Sequence, residues 1–442
     1  MNISDALEKN LLLNVKNELD TLNPVDIATI LEKLSPENTL KAFRILSKDL
    51  ASEVFSAISP EKQKEIIEAA NDDELKVIIN AMFLDDTVDL IEEMPAGVVS
   101  KILKNTSQEH RKLINQFLNY PDDSAGSIMT VEFLSLKTKM TIKEALNKIR
   151  NQGLKNETLN DCFVIDNERK LKGIVPIKKI LVNEEDTEIK DIMDRNFKKV
   201  MVRDDQENVA NIFKKYNLST IPVVDKENRL VGIITVDDIV DIIYKENTED
   251  FQKMAAMKPS DKEYLKDSVF SLAKHRILWL LILMISATMT GSIIKKYEDT
   301  LQSVVILAAF IPMLMDTGGN AGSQSSTLVI RGLALGEIKT KDLGKILWKE
   351  LRVSLIVGSC LAMVNFLRIF YFDKTDIKLA FVVCASLFIT IILAKLVGGM
   401  LPIIAKKLKF DPAIMASPLI TTIVDACALY IYFTLATTLL EI

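Results

Sequence analysis

Apolar and polar positions divide the chain into two unlike halves. Up to about Arg276 charged and apolar residues alternate at short intervals, whereas from Ile277 onward long apolar runs dominate. A helix that crosses a lipid bilayer needs roughly 20 mostly apolar residues. Runs of that length predict an all-α membrane domain with about five transmembrane helices, at Ile277–Ile294, Leu301–Ile330, Leu351–Phe372, Ile377–Ile404 and Pro412–Leu440.

The loops between these runs predict the orientation of the chain in the membrane. The loop from Arg331 to Arg352 and the loop with Lys406, Lys407 and Lys409 are basic, and the other loops mix both signs. Basic loops stay on the cytoplasmic side. The start of the sequence lacks the basic segment and the long apolar core of a signal peptide. We therefore expect an integral protein of the cell membrane, with its N-terminus in the cytoplasm and its C-terminus outside.

A polar stretch, DTGGNAGSQSS from Asp316 to Ser326, interrupts the second apolar run. Irregular polar backbone survives at membrane depth only where it faces protein or water. We expect the backbone to bend at Gly318, Gly319 and Asn320, so that these residues offer oxygens to an ion path. Close packing of neighbouring helices on the glycines would explain the same composition.

Asp425 lies near the middle of the last apolar run, one helical turn after Thr421. A charge inside the membrane is costly and marks a functional site by default. Oxygen ligands suit hard cations, and Mg²⁺ keeps most of its waters. Carboxylates from a symmetric dimer would therefore hold a hydrated divalent ion. A protonated Asp425, or one hydrogen-bonded between helices, is the alternative.

Lys395 is a second charge within a predicted span. It either pairs with a carboxylate or extends to the cytoplasmic surface, and its position toward the inner end of the span favours the second arrangement. The tripeptide that begins at Asp316 also spells the DTG motif of aspartic proteases. That motif needs a β-sheet setting and a second copy, and the sequence offers neither. An aspartic protease is therefore disfavoured, and because passage of an ion implies no covalent chemistry, we predict no enzyme.

The polar half begins with a segment, from about Leu22 to Tyr120, that reads as short amphipathic helices with Ser or Pro at their starts. Stacked helix pairs of this kind predict a small α-superhelix. Toward the membrane half, Glu246–Ala273 reads as a charged helix broken at Pro259. We expect it to be the mechanical link between the two halves.

An internal repeat lies between these segments. FVIDNERKLKGIVPIKKI from Phe163 and PVVDKENRLVGIITVDDI from Pro222 each read as a strand, an acidic turn, a second strand and a helix. The tandem resembles a pair of cystathionine-β-synthase (CBS) domains and predicts an α/β regulatory unit. Such pairs often bind adenine nucleotides such as ATP through a Ser/Thr-x-x-Asp pattern. Thr235 and Asp238 match that pattern in the second copy, whereas the first copy does not.

Charge adds one further expectation. A net charge of -5 argues against a nucleic-acid partner, and two histidines and four scattered cysteines argue against a zinc site or a disulfide framework. Acidic clusters recur where the segments join, and a solvated surface explains any single cluster. Taken together beside a cation path, they indicate sensing of divalent ions that bridge otherwise repelling carboxylates.

The order of helical domain, CBS pair, linking helix and spans resembles the MgtE family of magnesium channels and transporters. The runs from Pro312 to Glu337 and from Asp411 to Asp425 resemble the two membrane motifs of that family. The resemblance implies a homodimer with the pore between two membrane domains and hydrated Mg²⁺ at Asp425. It also implies a helical N domain, a CBS pair, a linking helix and a pore domain, at 1–125, 126–245, 246–276 and 277–442.

The resemblance further implies regulatory Mg²⁺ that clamps the linking helices over the pore. The matching sensor positions are Asp85, Asp89, Asp205, Glu207, Asp238, Glu246, Glu249 and Asp250. The sequence departs from the family pattern at Lys395, at Asn217, where a sensor aspartate can sit, and at Ala428, where glycine is frequent.

These observations together predict a Mg²⁺-selective channel that mediates uptake and closes when cytosolic Mg²⁺ rises. A carrier for another divalent cation, such as Co²⁺ or Mn²⁺, is the first alternative. A membrane-anchored nucleotide sensor that transports nothing is the second.

Overall fold

The computed structural model describes residues 3–153, 156–260, 264–265, 267–373, 375–415 and 417–441. The chain divides into two compact units, Met1–Ile243 and Tyr244–Ile442. The first unit contains a stack of short helices followed by two small sheets, and the second unit is helical. The predicted fold class, a helical N domain, an α/β tandem and a helical membrane domain, is confirmed.

The helical stack of the first unit consists of α1 (Ile3–Glu8), α2 (Leu12–Leu19), α3 (Pro24–Glu32), α4 (Pro36–Arg44), α5 (Lys48–Ala57), α6 (Pro60–Ala69), α7 (Asp72–Ile79), α8 (Leu84–Glu93), α9 (Ala96–Asn105) and α10 (Gln108–Phe117). Prolines occupy the first turn of α3, α4 and α6, where a missing amide hydrogen costs nothing. Along the stack α3 packs on α5, α5 on α7 and α7 on α9, as in the predicted superhelix. Their buried aliphatic faces form one continuous core.

The tandem contains β1 (Phe133–Lys137), α11 (Ile142–Gln152), β2 (Thr158–Ile165), β3 (Leu171–Pro176), α12 (Ile177–Val182), α13 (Ile189–Ile192), β4 (Val200–Met201), α14 (Gln206–Tyr216), β5 (Thr220–Val224), β6 (Leu230–Thr235) and α15 (Val236–Met254). Each copy is a three-stranded sheet with one parallel and one antiparallel pair. Asp161 pairs with Pro176, and Thr220, 59 residues after Asp161, pairs with Thr235. The strand register therefore repeats at the offset read from the sequence.

The two copies of the repeat are packed into each other. A side chain on Gly173 would lie 2.8 Å from the sulfur of Met193, and one on Gly232 would lie 2.6 Å from the sulfur of Met129. Real side-chain carbons essentially never come that close to another atom. Each glycine thus admits the methionine that precedes the other copy.

The link toward the membrane helices differs from the expectation in its details. Helix α15 starts at the second sheet and continues to Met254, so the boundary expected between residues 245 and 246 falls inside a continuous helix. Pro259 lies after that helix has ended, and the next helix among the described residues begins at Val269. Pro259 therefore does not kink a continuous helix, because the described residues on both sides of it, from Ala255 to Ser260, are already non-helical.

The second unit contains α16 (Val269–Lys296), α17 (Glu298–Ser303), α18 (Leu307–Ala334), α19 (Leu343–Arg368), α20 (Ile377–Lys407) and α21 (Ser417–Leu440), with 3₁₀ turns at Thr340–Asp342 and Pro412–Met415 and a π-helical turn at Ile369–Asp373. Helices α18, α20 and α21 pack on one another, α19 packs on α20, and α16 packs on α21. Tyr432 and Phe433 lie in the core of this bundle.

Four stretches of the described residues are long and apolar enough to cross a membrane: Val269–Lys296, Thr340–Asp373, Ile377–Lys407 and Pro412–Leu440. They correspond to four of the five predicted spans. The remaining span corresponds to α18, which has 28 residues but carries the polar stretch. Helix α16 exposes apolar side chains such as Leu278 and Ile285 along its length, which is typical of a helix surrounded by lipid.

Candidate ion sites in the two units

The polar stretch is part of a continuous helix. Helix α18 passes through Gly318, Gly319 and Asn320 without interruption. Backbone carbonyls within an α-helix already accept hydrogen bonds from amides four residues later. The bend expected at these residues is therefore wrong, and so is the expectation that their backbone oxygens face an ion path. The helical setting also removes the aspartic-protease alternative, which needs a β-sheet.

The glycines of α18 instead allow neighbouring helices to come close. A side chain on Gly318 would lie 2.7 Å from a methyl of Thr390 in α20, and one on Gly322 would lie 2.7 Å from a methyl of Ile420 in α21. A side chain on Gly398 in α20 would overlap the carbonyl oxygen of Gly322 and lie 2.9 Å from its carbonyl carbon. Helices α18 and α20 therefore meet backbone against backbone, as small residues permit in membranes.

Asp425 is half-buried in α21. Among the described residues, its carboxylate has no hydrogen-bond or ion-pair partner. Asp316 on α18 lies close enough to act on it electrostatically. Thr421, one turn before Asp425, packs against Gly319 and donates its hydroxyl to the carbonyl of Pro418 at 2.9 Å. Within this part of the chain, the alternative of an Asp425 locked by a hydrogen bond between helices has no support.

One face of α18 exposes polar side chains at helical spacing. Asp316, Asn320 and Gln324 are exposed and follow one another at intervals of one turn. We refer to these three residues as the polar stripe. Lipid cannot satisfy a carboxylate and two amides, so the polar stripe must face water or protein.

Lys395 does not extend to the cytoplasmic surface, and the arrangement favoured from the sequence is wrong. Its side chain is buried, with an exposed fraction of 4%. The ammonium donates to the hydroxyl of Ser325 at 3.5 Å, and that hydroxyl donates to the carboxylate of Glu350 at 2.6 Å. Gly399 leaves the space in which the stem of Glu350 lies. Lys395 thus reaches a carboxylate through a hydroxyl, which ties α18, α19 and α20 together.

The first unit contains a cavity of about 520 Å³ with acidic walls. We call it the acidic cavity; its carboxylates belong to Glu53, Asp85, Asp86, Glu157, Asp237 and Asp238. One oxygen each of Asp85 and Glu157 is buried without a hydrogen-bond partner among the described residues. Such orphaned oxygens fit a cation or a bound proton.

Burial and mutual repulsion raise the pKa of carboxyls in the acidic cavity and of Asp89, which lies on the same helix as Asp85. Burial, together with the charges of Asp86 and Asp238, raises the pKa of Asp85 to about 9. Burial and neighbouring carboxylates raise the pKa of Asp89 and of Glu157 to about 7 each. Burial raises the pKa of Asp238 to about 6, although a hydrogen bond from Thr235 opposes the shift. The structure therefore brings together Asp85, Asp89 and Asp238 of the predicted sensor residues.

The other predicted sensor residues lie elsewhere. Asp205 caps α14, where its carboxylate accepts hydrogen bonds from the amides of Glu207 and Asn208. Glu246, Glu249 and Asp250 lie on the last turns of α15, in the second unit. Glu157 was missed by the sequence reading, because it stands in a loop before β2 without any charge cluster to mark it.

The structure also shows where the two residues of the nucleotide pattern, Thr235 and Asp238, and two departures from the family pattern, Asn217 and Ala428, lie. The hydroxyl of Thr235 donates to Asp238 at 2.7 Å, so the two side chains lie together at the start of α15. Asn217 ends α14 in the left-handed region, at a φ of 48°, which asparagine tolerates well. Ala428 is fully buried in α21.

No three carboxylate, imidazole or thiol groups of the described residues converge closely enough to bind a bare metal ion. The long apolar helices, with a polar stripe and an unpaired carboxylate, define an integral membrane protein of the transporter class. Family models agree: "Divalent cation transporter" matches residues 311–435, "MgtE intracellular N domain" matches 22–123, and "CBS domain" matches 125–184 and 189–245.

Relatives that match over most of their length show to which family the chain belongs. The chain is 37% identical to the magnesium transporter MgtE of Bacillus subtilis, over 80% of this chain and 78% of that protein. It is 35% identical to the magnesium transporter MgtE of Thermus thermophilus, over 81% of this chain and 80% of that protein. The chain belongs to the MgtE family.

Solved structures of soluble parts are similar as well. The crystal structure of the soluble part of a magnesium transporter matches 55% of this chain and 96% of its own, with 29% identity and a TM-score of 0.53. The cytosolic domain of the Mg²⁺ channel MgtE in complex with ATP matches 55% of this chain and 100% of its own, with 29% identity and a TM-score of 0.52.

Proposed function

We propose that this protein is a Mg²⁺-selective channel that works as a homodimer and mediates Mg²⁺ uptake. The polar stripe beside the unpartnered carboxylate of Asp425 is the observation that carries the proposal. A bilayer would leave these groups unsatisfied. A second copy facing the same surface would enclose them in a water-filled path between the two membrane domains. The relatives named as magnesium transporters support Mg²⁺ as the ion.

The oxygen atoms along the path determine how the ion binds there. Mg²⁺ gives up its waters reluctantly and is bound through one or two carboxylates. Asp425 attracts the hydrated ion electrostatically, and the amide oxygen of Asn320 and the hydroxyl oxygen of Thr421 accept hydrogen bonds from the waters of the ion. Gly318 and Gly319 bind no ion in this scheme. They let the helices that carry these side chains come together.

Cytosolic Mg²⁺ regulates the channel through the acidic cavity and the linking helix. An ion that binds among Asp85, Asp89 and Asp238 relieves their repulsion and satisfies the orphaned oxygen of Asp85. A second cluster of carboxylates lies on α15 and consists of Glu246, Glu249 and Asp250. A third lies at the start of α14 and consists of Asp205 and Glu207. These sites connect the concentration of cytosolic Mg²⁺ to the position of the linking helix.

An adenine nucleotide binds the CBS pair at Thr235 and Asp238. The likeness to a cytosolic domain that was crystallised with ATP supports this assignment. Asp238 belongs to both the nucleotide pattern and the acidic cavity, so nucleotide and divalent ion share one carboxylate.

The N-terminus lies in the cytoplasm of the cell and the C-terminus outside, because the basic loops belong on the cytoplasmic side. A carrier for another divalent cation is the second candidate function. The general description of the matching family model, a divalent cation transporter, favours it over a sensor that transports nothing.

The decisive experiment is ion flux into liposomes that contain the purified chain and a Mg²⁺-sensitive dye. We expect Mg²⁺ to enter, Co²⁺ and Mn²⁺ to enter more slowly, and Asp425→Ala to reduce Mg²⁺ entry by at least tenfold, since one buried charge contact is worth about that factor. Asp299→Asn is the matched control, because Asp299 is exposed on α17, outside the apolar helices.

Two outcomes would overturn the proposal. Undiminished Mg²⁺ entry in the Asp425→Ala protein would remove Asp425 from the path. Faster entry of Co²⁺ or Mn²⁺ than of Mg²⁺ would favour the second candidate.

A further inference from the structure

Lys253, near the end of α15, makes a contact that neither the sequence pattern nor the proposed ion sites require. Its ammonium lies 2.6 Å from a carboxylate oxygen of Asp411, which is 158 residues away in the chain. It also pairs with Glu249, one turn earlier on α15. The exposed fractions of the Lys253 and Asp411 side chains are 21% and 31%, so the pair is only partly screened by solvent.

The carboxylates around Lys253 stabilise its charged form and so favour the ion pair with Asp411. Burial alone would lower the pKa of Lys253, but the carboxylates of Asp411 and Glu249 outweigh that effect and raise it. Burial, with the charge of Asp411, raises the pKa of Asp250. Lys253 is therefore the cation at the centre of three carboxylates.

Asp411 connects Lys253 to the membrane helices through further hydrogen bonds. Its second oxygen accepts a hydrogen bond from the amide of Ala413 at 2.8 Å, within the turn that leads into α21. The carbonyl of Met415, in the same turn, accepts a hydrogen bond from Ser326 of α18 at 2.9 Å. The turn is thus attached at one end to the linking helix and at the other to α18.

The segment after α15 is also held in place. The side-chain amide of Gln252 and the backbone of Ser260 exchange two hydrogen bonds, at 3.0 and 2.7 Å. The amide of Lys258 donates to the carbonyl of His275 in α16 at 2.9 Å. A change at Lys253 would therefore act on a defined structure rather than on a loose linker.

We propose that Lys253 is a positioning residue: its ion pair with Asp411 fixes the linking helix to the turn that starts α21, and so sets the position of Asp425. The pair needs no bound metal. It holds the linking helix to the turn through the chain's own charges, with the Lys253 ammonium between the carboxylates of Glu249 and Asp411. The effect on flux rests on the proposed function, whereas the attachment itself does not.

Hydrogen exchange of the full-length chain in detergent with EDTA tests the attachment directly. We expect Lys253→Gln and Asp411→Asn each to speed exchange of the amides of residues 244–260 by roughly tenfold, the effect of losing one charged hydrogen bond. The double variant should exchange no faster than either single one, because both remove the same contact. Lys253→Arg should keep exchange slow, because it retains the positive charge between Glu249 and Asp411.

Lys258→Gln is the matched control, since it removes the same charge from an exposed position on the same segment. Unchanged exchange in Lys253→Gln, additive effects in the double variant, or fast exchange in Lys253→Arg would each overturn the inference. In liposomes, Lys253→Gln should need more Mg²⁺ on the cytoplasmic face to close. A chain that passes no ions at all would refute the proposed function and leave the exchange result standing.

Discussion

The backbone contact between α18 and α20 gives a prediction whose size follows from the structure. In Gly398→Ala the new methyl would overlap the carbonyl oxygen of Gly322 and stand 2.9 Å from its carbonyl carbon, while ordinary contact begins at 3.4 Å. Both obstacles are backbone atoms of a helix, so no side chain can turn aside. The two helices must part by about 1 Å, which forfeits a quarter to a half of the dispersion energy between facing atoms.

Overpacking of this kind lowers the free energy of unfolding by about 1–3 kcal/mol. The higher helix propensity of alanine offsets about 0.5–1 kcal/mol of that loss. Gly291→Ala in α16 is the matched control, because nothing lies within 4 Å of the added methyl. The gain in helix propensity is common to both variants, so we expect the control to be slightly stabilised and Gly398→Ala to lie about 1–3 kcal/mol below it in free energy of unfolding.

Thermal and denaturant unfolding in detergent, followed by circular dichroism, measures this difference. Mg²⁺ flux should fall in Gly398→Ala as well, because α18 carries the polar stripe. Equal stability of the two alanine variants would refute the reasoning, since it would mean that α18 and α20 do not meet at their backbones in the folded protein.

Three further predictions concern the charged sites. Lys395→Met should destabilise the chain by about 1–3 kcal/mol because it leaves Glu350 without its counter-charge, and adding Glu350→Gln should recover most of that loss in the same unfolding assay; additive losses would contradict the link through Ser325. Because the pKa of Asp85 is raised to about 9, the folded chain holds a proton that the unfolded chain loses from about pH 4 upward. The free energy of unfolding should therefore fall as pH rises between these values, and Mg²⁺ should raise the melting temperature more at about pH 8 than at about pH 5; an equal rise at both pH values would remove Asp85 from a metal site. Thr235→Val should weaken ATP binding, measured by calorimetry, by roughly tenfold, the value of one hydrogen bond to a charged partner, and undiminished binding would place the nucleotide elsewhere.

The apolar runs and the repeat could be predicted from the sequence because their physical cause is local. Lipid selects about 20 apolar residues in a row, and a duplicated strand–turn–strand unit repeats its residues with its hydrogen bonds. Long spans and the register of the two sheets follow from these patterns.

The helical path through the polar stretch could not be predicted in this way. Glycine, serine and asparagine have low helix propensity, so a local reading places a break at Gly318. Contacts with Thr390 and Ile420, far along the chain, decide the outcome, since tertiary packing outweighs propensity.

The partners of the buried charges could not be predicted from the sequence for a related reason. Lys395 and Ser325 are 70 residues apart, and an apolar helix with few polar residues gives no sign of which face points inward. A free lysine at the end of a span usually extends to the surface, and only the position of Ser325 and Glu350 reverses that preference. The contribution of Glu157 to the acidic cavity depends in the same way on a fold that joins distant segments.

The interlocked packing of Gly173 with Met193 and of Gly232 with Met129 has a consequence for how the tandem can be divided. Each half is completed by a residue that the other half supplies, so neither is a self-sufficient folding module. Cutting the chain between residues 184 and 189 should leave each half of the tandem without stable structure, which returns when the two fragments are mixed. Evolution therefore cannot lose or exchange one half of this duplication without reshaping the other.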